Sequence, residues 1–152
     1  MNLSEHLTLA EAIRSESAKR LGINNMPTDE HIKNGRVLAE NIHEPLRAYF
    51  RRPIHISSGY RSFNLNKAIG GSNSSQHSTF EAFDYDMDGT EVNNKDIFNY
   101  IKDNLPFDQL IWEFGNNESP AWVHVSHKAN GVQRGQVLRA KKLNGKTIYE
   151  RF

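Results

Sequence analysis

The sequence predicts an α+β fold in which N-terminal helices pack on a small antiparallel sheet. Apolar residues recur at helical spacing through the first half of the chain, up to Pro53. After Pro53, short runs rich in aromatic and β-branched residues alternate with turn signals, as strands do. Near the C-terminus, Asn144-Gly145 between two such runs favours a type I′ hairpin. A chain of 152 residues suffices for one core, so we expect a single domain over residues 1–152.

Two helices of the first half are predicted from their capping residues. Thr8 is an N-cap candidate, and Glu11 stands three residues later, which is the spacing of a capping box. Thr28 is the N-cap candidate of a later helix, because two acidic residues follow it in the first turn. The apolar pattern of this helix continues to Phe50. Pro45 lies inside it and is expected to kink it, since proline removes a backbone donor.

The second half is predicted to contain strands separated by two short helices. The helices are expected over residues 65–69 and, with an amphipathic pattern, over residues 94–104. The strand candidates are residues 54–57, 82–87, 109–114, 122–126, 137–143 and 147–152. The third and fourth candidates are expected to pair as an antiparallel hairpin, as are the fifth and sixth.

The residue composition excludes several kinds of site. The chain contains no cysteine, which excludes disulfides, a thiolate nucleophile, a zinc finger and an iron–sulfur centre. The Gly-x-Ser-x-Gly turn of a serine hydrolase is also absent. A transition metal could therefore be held only by histidine, aspartate or glutamate, and the chain has seven histidines.

Charge is distributed unevenly although the net charge is only +1. Residues 81–118 carry ten acids against two lysines, a composition that could serve a cation. Residues 128–152 carry seven bases against one acid and could contact an anionic polymer such as cell-wall material; nucleic acid is not the expected partner. No apolar segment follows a basic N-terminus and no run approaches a membrane span, so we expect synthesis in the cytoplasm without a signal peptide.

Three polar residues form a candidate metal site. His77 stands in a predicted loop, Asp84 follows seven residues later in a strand candidate, and His124 lies within the apolar run 122–126. Two imidazoles and one carboxylate are a common catalytic zinc shell that leaves the fourth position for water. Neighbouring strands that carry Asp84 and His124 would bring both to His77. Four further histidines have no partner at ligand spacing and are expected to be structural or exposed: His6, His31, His43 and His55.

These residues belong to an ordered series of short motifs. The series consists of Ser58-Gly59-Tyr60-Arg61-Ser62, Leu65-Asn66, Gly70-Gly71-Ser72, Ser75-Gln76-His77, Ala82-Phe83-Asp84 and Trp122-Val123-His124-Val125-Ser126. It resembles the family of zinc D-alanyl-D-alanine carboxypeptidases and L-alanyl-D-glutamate endopeptidases, which includes phage endolysins and shares its fold with the hedgehog signalling domain. The resemblance runs from about Leu3 to about Ala140. It implies one zinc ion carried by the sheet and a peptidoglycan stem peptide as substrate.

The resemblance also implies roles for individual residues. His77, Asp84 and His124 match the zinc ligands, and Arg61 matches the arginine that meets the substrate or the developing oxyanion. Ser75 matches the serine two residues before the first ligand and is expected to bind substrate. The role of Arg61 suits an arginine chemically, because the planar guanidinium carries a permanent positive charge and several hydrogen-bond donors in a fixed geometry.

Two positions depart from the family pattern. Phe80 stands where members usually have a glycine three residues after the first histidine, so the turn there must tolerate a ring. Ala121 stands where many members have an acid three residues before the last histidine, so the general base must come from elsewhere. Two glutamates compete for that role. The spacing from His124 favours Glu118, whereas a hairpin places Glu113 beside the strand of His124, and we favour Glu113 because strands hold side chains more rigidly than loops.

The sequence therefore predicts a monomeric zinc peptidase that cleaves peptidoglycan stem peptides, as a carboxypeptidase or an endopeptidase. Its basic C-terminal residues Arg134, Arg139, Lys141 and Lys142 could hold it on the anionic wall. A phage enzyme released by a holin, or a virion component, would reach the wall without a signal peptide. The alternative is a non-catalytic zinc-containing module that binds cell wall or acts in a virion tail.

Overall fold

A six-stranded mixed sheet covered on one face by helices forms the centre of the molecule. The computed structural model describes all 152 residues. The strands are β1 (Asn2–Ser4), β2 (Leu7–Thr8), β3 (Ile56–Ser58), β4 (Ala82–Tyr85), β5 (Gln109–Glu113), β6 (Trp122–Ser126), β7 (Gln136–Leu143) and β8 (Lys146–Arg151). The helices are α1 (Leu9–Ile13), α2 (Glu16–Leu21), α3 (Asp29–Leu38), α4 (Glu44–Phe50), α5 (Phe63–Ala68) and α6 (Asn94–Asn104). The α+β class predicted from the sequence is confirmed.

The predicted N-caps are present. The Thr8 hydroxyl accepts a hydrogen bond from the Glu11 amide and donates one to the Glu11 carboxylate, so this pair closes the first turn of α1. The Thr28 side chain accepts from the His31 amide at the start of α3. Each of these bonds satisfies one of the amides that the first turn of a helix leaves without a partner.

The interruption expected at Pro45 is a widened helical turn rather than a simple kink. Between α3 and α4 the backbone forms a π-helical segment, Ala39–His43, in which the Glu44 amide donates to the Ala39 carbonyl. Pro45 follows in the first turn of α4, where the hydrogen bond that proline cannot make is not required.

The main sheet has the strand order β3-β4-β6-β5-β7-β8. The two hairpins predicted from the sequence, β5–β6 and β7–β8, are both antiparallel. The prediction of a purely antiparallel sheet is wrong, because β7 pairs with β5 in parallel. Strand β6 is flanked by β4 and β5 and has no free edge. The chain that leaves β6 passes to the outer edge of β5, where β7 runs in the same direction as β5. A separate two-stranded sheet joins β1 to β2.

The core lies on the helical face of the main sheet. It is one cluster of 23 buried apolar residues, to which α3, the π-helical segment, α4 and α6 contribute alongside β4, β5 and β6. Side chains that point to the opposite face alternate with these along each strand. None of the helices combines the length and the apolar character needed to cross a bilayer.

Candidate metal centre and cleft

Asp84 and His124 meet on neighbouring strands of the main sheet. They are directly opposite each other in the antiparallel pair β4–β6, so their side chains share one face. The His124 Nδ1 atom lies 3.0 Å from the Asp84 Oδ1 atom. Neither side chain is on the core face, where Phe83, Val123 and Val125 pack among the helices.

His77 approaches the same carboxylate from the loop that precedes β4. Its Nε2 atom lies 3.3 Å from Asp84 Oδ1, while its Nδ1 atom lies 2.7 Å from the Gly59 carbonyl oxygen. A carbonyl can only accept, so Nδ1 carries a proton, and Nε2 is the His77 atom that faces the carboxylate. The Ser75 hydroxyl accepts a hydrogen bond from the His77 amide at 3.2 Å and so fixes the backbone of the loop.

Gly59 is required behind His77 because two backbone segments touch there. A side chain on Gly59 would begin 2.1 Å from the Ala12 carbonyl oxygen of α1, which is a severe clash. The Tyr60 amide donates to that same oxygen, so the loop is anchored to α1 on one side and to His77 on the other. A carbonyl that orients a histidine in this way is a common outer partner of metal-bound imidazoles.

The three side chains fit a metal ion. Their candidate donor atoms all lie within 4.8 Å of one another. Burial lowers the pKa of His77 and so favours its neutral form. Burial would raise the pKa of Asp84, but the charge and hydrogen bonds of the two histidines outweigh it and keep the carboxyl ionised. A divalent cation binds imidazole nitrogens that carry no proton and carboxylates that are ionised, so a bound cation would take the place of any proton between Asp84 and the two histidines.

Glu113 lies at the end of β5 on the same face of the sheet. Ile111 is opposite His124, and Glu113 follows two residues later, so the glutamate is one pleat further along from the candidate ligands. Its exposed fraction is only 8%. Burial raises the pKa of Glu113 to about 7; His124 and Arg61 oppose the rise and Asp84 adds to it.

Arg61 stands on the other side of these carboxylates, in the loop after β3. Its Nη1 atom donates to the Ser58 hydroxyl at 3.4 Å, and its buried Nε atom has no hydrogen-bond partner. Burial lowers the pKa of Arg61, whereas the charges of Asp84 and Glu113 raise it. A guanidinium with an unpaired buried donor close to the candidate metal site is suited to receive an anionic oxygen.

All six residues predicted for the site line one open cleft of about 930 Å³: Arg61, Ser75, His77, Asp84, Glu113 and His124. Glu118 does not line it. That residue is exposed in the loop between β5 and β6, where its amide donates to Asn116. The structure thus brings Glu113, and not Glu118, to the candidate metal site. Ala121 lies at the end of the same loop, where its amide donates to the Glu113 carbonyl.

Phe80 occupies the position, three residues after His77, at which a glycine was expected from the family pattern. Its φ angle is +64°, in the left-handed region that glycine adopts at little cost, yet its ring is fully buried. The ring packs against Tyr60, with centroids 5.2 Å apart, and against Gly35 of α3. Burial of the ring compensates for the unfavourable backbone, and the absence of a side chain at Gly35 makes room for it.

Part of the cleft wall was not predicted. Leu138, Thr147 and Tyr149 of the β7–β8 hairpin line it opposite the loop of His77. The hairpin itself was predicted from Asn144-Gly145, but its parallel pairing with β5 depends on the long connection after β6, which carries no local signal.

Four of the seven basic residues of the C-terminal region, those predicted to hold the protein on the wall, make contacts within the chain. The partners are Asp108 for Arg134, the Trp112 ring for Arg139, Glu150 for Lys141 and the Phe114 ring for Lys142. The Asp108 carboxylate is fully buried and also accepts from Gln76, the neighbour of His77. The Lys141–Glu150 pair joins the two strands of the hairpin, and the other three contacts connect the C-terminal region to β5 and the residues next to it. Adhesion of the basic residues to a wall polymer stays a prediction.

His6 is exposed, as expected, and it also has a structural partner. The His6 Nδ1 atom lies 2.7 Å from a Glu44 carboxylate oxygen, and the other oxygen of Glu44 accepts from Ser4 and from the His6 amide. Glu5 lies beside them. The pair joins the β1–β2 hairpin to α4, a contact between distant segments that spacing along the chain does not reveal.

The fold places a candidate metal centre of two histidines and one aspartate on the open face of a mixed sheet. The family model of Peptidase M15 matches residues 5–126, and the chain belongs to this peptidase family. Members of the family are zinc-dependent in general, which agrees with the donor set described above. No curated protein matches the chain.

Proposed function

We propose that the protein is a zinc-dependent peptidase that cleaves peptidoglycan stem peptides. The observation that carries the proposal is the convergence of a candidate metal triad, a buried glutamate and an arginine on one cleft. Membership of the Peptidase M15 family supports it independently.

In this proposal His77, Asp84 and His124 hold one zinc ion. The ion supplies Lewis-acid chemistry, which polarises the scissile carbonyl and favours deprotonation of a water. The Gly59 carbonyl favours the His77 tautomer that can ligate through Nε2, since it accepts a hydrogen bond from the Nδ1–H group. The strand pair β4–β6 keeps Asp84 and His124 directly opposite each other.

Glu113 acts as the general base and then as the general acid. Its carboxylate takes a proton from the attacking water and returns it to the leaving amine. A pKa of about 7, raised by burial, suits both steps near neutral pH, because the group can accept and release a proton. A cation held by the triad would favour the ionised form and bring this pKa lower.

Arg61 and Ser75 act on the substrate. The guanidinium of Arg61 donates to the oxygen that becomes negative as the carbonyl is attacked. Ser75 lines the cleft, and its hydroxyl hydrogen is free to donate to the peptide while its oxygen accepts from the His77 amide. The natural site of action in this proposal is the bacterial cell wall, reached after release through a holin or as part of a virion.

A pair of glutamate variants tests the proposal. Zinc-loaded protein is incubated with purified peptidoglycan, and the products are identified by mass spectrometry. Release of terminal D-alanine indicates a carboxypeptidase, and a cut between L-alanine and D-glutamate indicates an endopeptidase. Glu113→Gln should lower the rate about 10²- to 10⁴-fold with zinc still bound. Glu118→Gln is the matched control and should leave the rate unchanged, since Glu118 is outside the cleft.

Two outcomes contradict the proposal. If the intact zinc-loaded protein cleaves no stem peptide, the peptidase proposal is wrong, and the alternative of a non-catalytic wall-binding module is favoured. If Glu118→Gln abolishes cleavage while Glu113→Gln does not, the assignment of the base is wrong. Zinc content measured on every variant separates loss of the metal from loss of the base.

A further inference from the structure

A tyrosine of the C-terminal hairpin faces the cleft from outside the part of the chain that matches the family. The match ends at residue 126, whereas Tyr149 lies on β8, the edge strand of the main sheet. Tyr149 and its neighbour Thr147 line the same cleft as the candidate metal ligands. The roles assigned so far to the cleft do not include this wall.

The register of the sheet brings Tyr149 to the side of Glu113. Glu113 pairs with Ala140 on β7, and Ala140 pairs with Tyr149 on β8, so the three side chains lie in one row on one face. Two strand spacings, about 10 Å, separate the outer backbones. The Ala140 side chain between them is short and has no exposed surface. Tyr149 and Glu113 both line the cleft, on either side of this alanine.

The environment of Tyr149 leaves its hydroxyl available to a ligand. Burial, with the charges of Glu113 and Asp84, raises the pKa of Tyr149, so its hydroxyl is a donor at neutral pH. That hydroxyl makes no hydrogen bond within the chain, in contrast to the Tyr85 hydroxyl, which pairs with His43 at 3.0 Å. Tyr149 keeps 56% of its surface exposed, so its ring is accessible to a ligand in the cleft.

We propose that the Tyr149 hydroxyl donates a hydrogen bond to a carbonyl or carboxylate oxygen of the bound stem peptide, so that the β7–β8 hairpin forms a substrate-binding wall. This inference rests on the proposed function, because it assumes the peptide that the metal site would cleave. It adds a specificity element that the family-matched residues do not contain.

Removal of one oxygen atom tests the inference. Binding of a synthetic peptidoglycan stem pentapeptide to zinc-loaded protein is measured by calorimetry in a Glu113→Gln parent, which should bind without cleaving. Adding Tyr149→Phe should weaken affinity about three- to tenfold, the usual effect of losing one neutral hydrogen bond. Tyr49→Phe is the matched control, since Tyr49 is exposed and packs on Phe50 and Tyr100 away from the cleft, and it should leave affinity unchanged. Zinc content and melting temperature should be the same in all three proteins.

The outcomes separate this inference from the proposed function. Affinity of the Tyr149→Phe protein within twofold of its parent overturns the inference, even when the unmodified enzyme cleaves peptidoglycan. Absence of any peptide binding by the parent overturns it as well. If the unmodified protein cleaves nothing but Tyr149→Phe still weakens binding, the peptidase proposal fails and the substrate-binding wall stands.

Discussion

The contact between Gly35 and the Phe80 ring makes a quantitative prediction about stability. A side chain on Gly35 would begin 2.9–3.0 Å from three atoms of the ring, well inside the 3.5–4.0 Å at which carbon atoms attract. Overpacking of this kind costs about 1–3 kcal/mol. Alanine in place of glycine within a helix otherwise stabilises by up to about 1 kcal/mol. We therefore expect Gly35→Ala to destabilise the protein by up to about 2 kcal/mol.

The sign of this effect should reverse when the ring is removed. Phe80→Gly loses a buried phenyl group, worth about 3–5 kcal/mol, and regains about 1 kcal/mol because glycine adopts the φ angle of +64° without strain. In that background Gly35→Ala meets no ring and should stabilise the protein by up to about 1 kcal/mol. The coupling between the two positions is then about 1–3 kcal/mol.

Urea unfolding of the four proteins of this double-mutant cycle measures the coupling, with the same metal content in every sample. Lys33→Ala is the control substitution, because Lys33 is exposed on the same helix and should have the same effect in both backgrounds. Equal effects of Gly35→Ala with and without the Phe80 ring would refute the account of how this turn accommodates a phenylalanine.

Two further predictions concern buried titratable groups, His43 and Asp108. Burial lowers the pKa of His43 from 6.5 to about 4, so on acidification the unfolded chain binds a proton at a higher pH than the folded protein does. The free energy of unfolding should therefore fall as the pH drops below 6.5, by at most about 3 kcal/mol near pH 4. His43→Gln should flatten this dependence on pH, measured by urea unfolding at several pH values. Hydrogen bonds from Arg134 and Gln76 outweigh burial and lower the pKa of Asp108 to about 2, so Asp108→Asn should lower the free energy of unfolding by about 2 kcal/mol at pH 7. Glu150→Gln removes one member of an exposed ion pair and should lower it by under about 1 kcal/mol. Equal decreases in the two variants would contradict the role of Asp108.

Local signals in the sequence were sufficient for the elements that depend on neighbouring residues. The helix over residues 94–104 has the predicted bounds, because its apolar spacing lies within the segment and its N-cap Asn93 directly precedes it. The two hairpins follow equally from strand composition and turn residues. His77, Asp84 and His124 could be grouped from the sequence because the motifs around them are close to those of a known family.

Features that depend on distant segments were not predicted. The parallel pairing of β7 with β5 follows from which sheet edge remains free after β4 and β6 have paired, and the sequence of β7 does not encode that edge. Tyr149 was missed for this reason, since it reaches the cleft only through that pairing. The left-handed backbone of Phe80 was missed because it is compensated by a glycine 45 positions earlier.

The contact at Gly59 links the N-terminal segment to the metal site thermodynamically. Ala12 holds the loop through the Tyr60 amide, and the Gly59 carbonyl one residue earlier holds the His77 ring. If the orientation of His77 strengthens the binding of a cation, that binding depends on the contact between α1 and the loop. By linkage, the bound cation then stabilises this contact by the same free energy. The N-terminal segment would thus contribute to the affinity of the candidate site for an ion, although none of its atoms is a candidate ligand of this site. Occupancy of the site should slow hydrogen exchange at the Tyr60 amide, and a weaker contact between α1 and the loop should speed release of the ion.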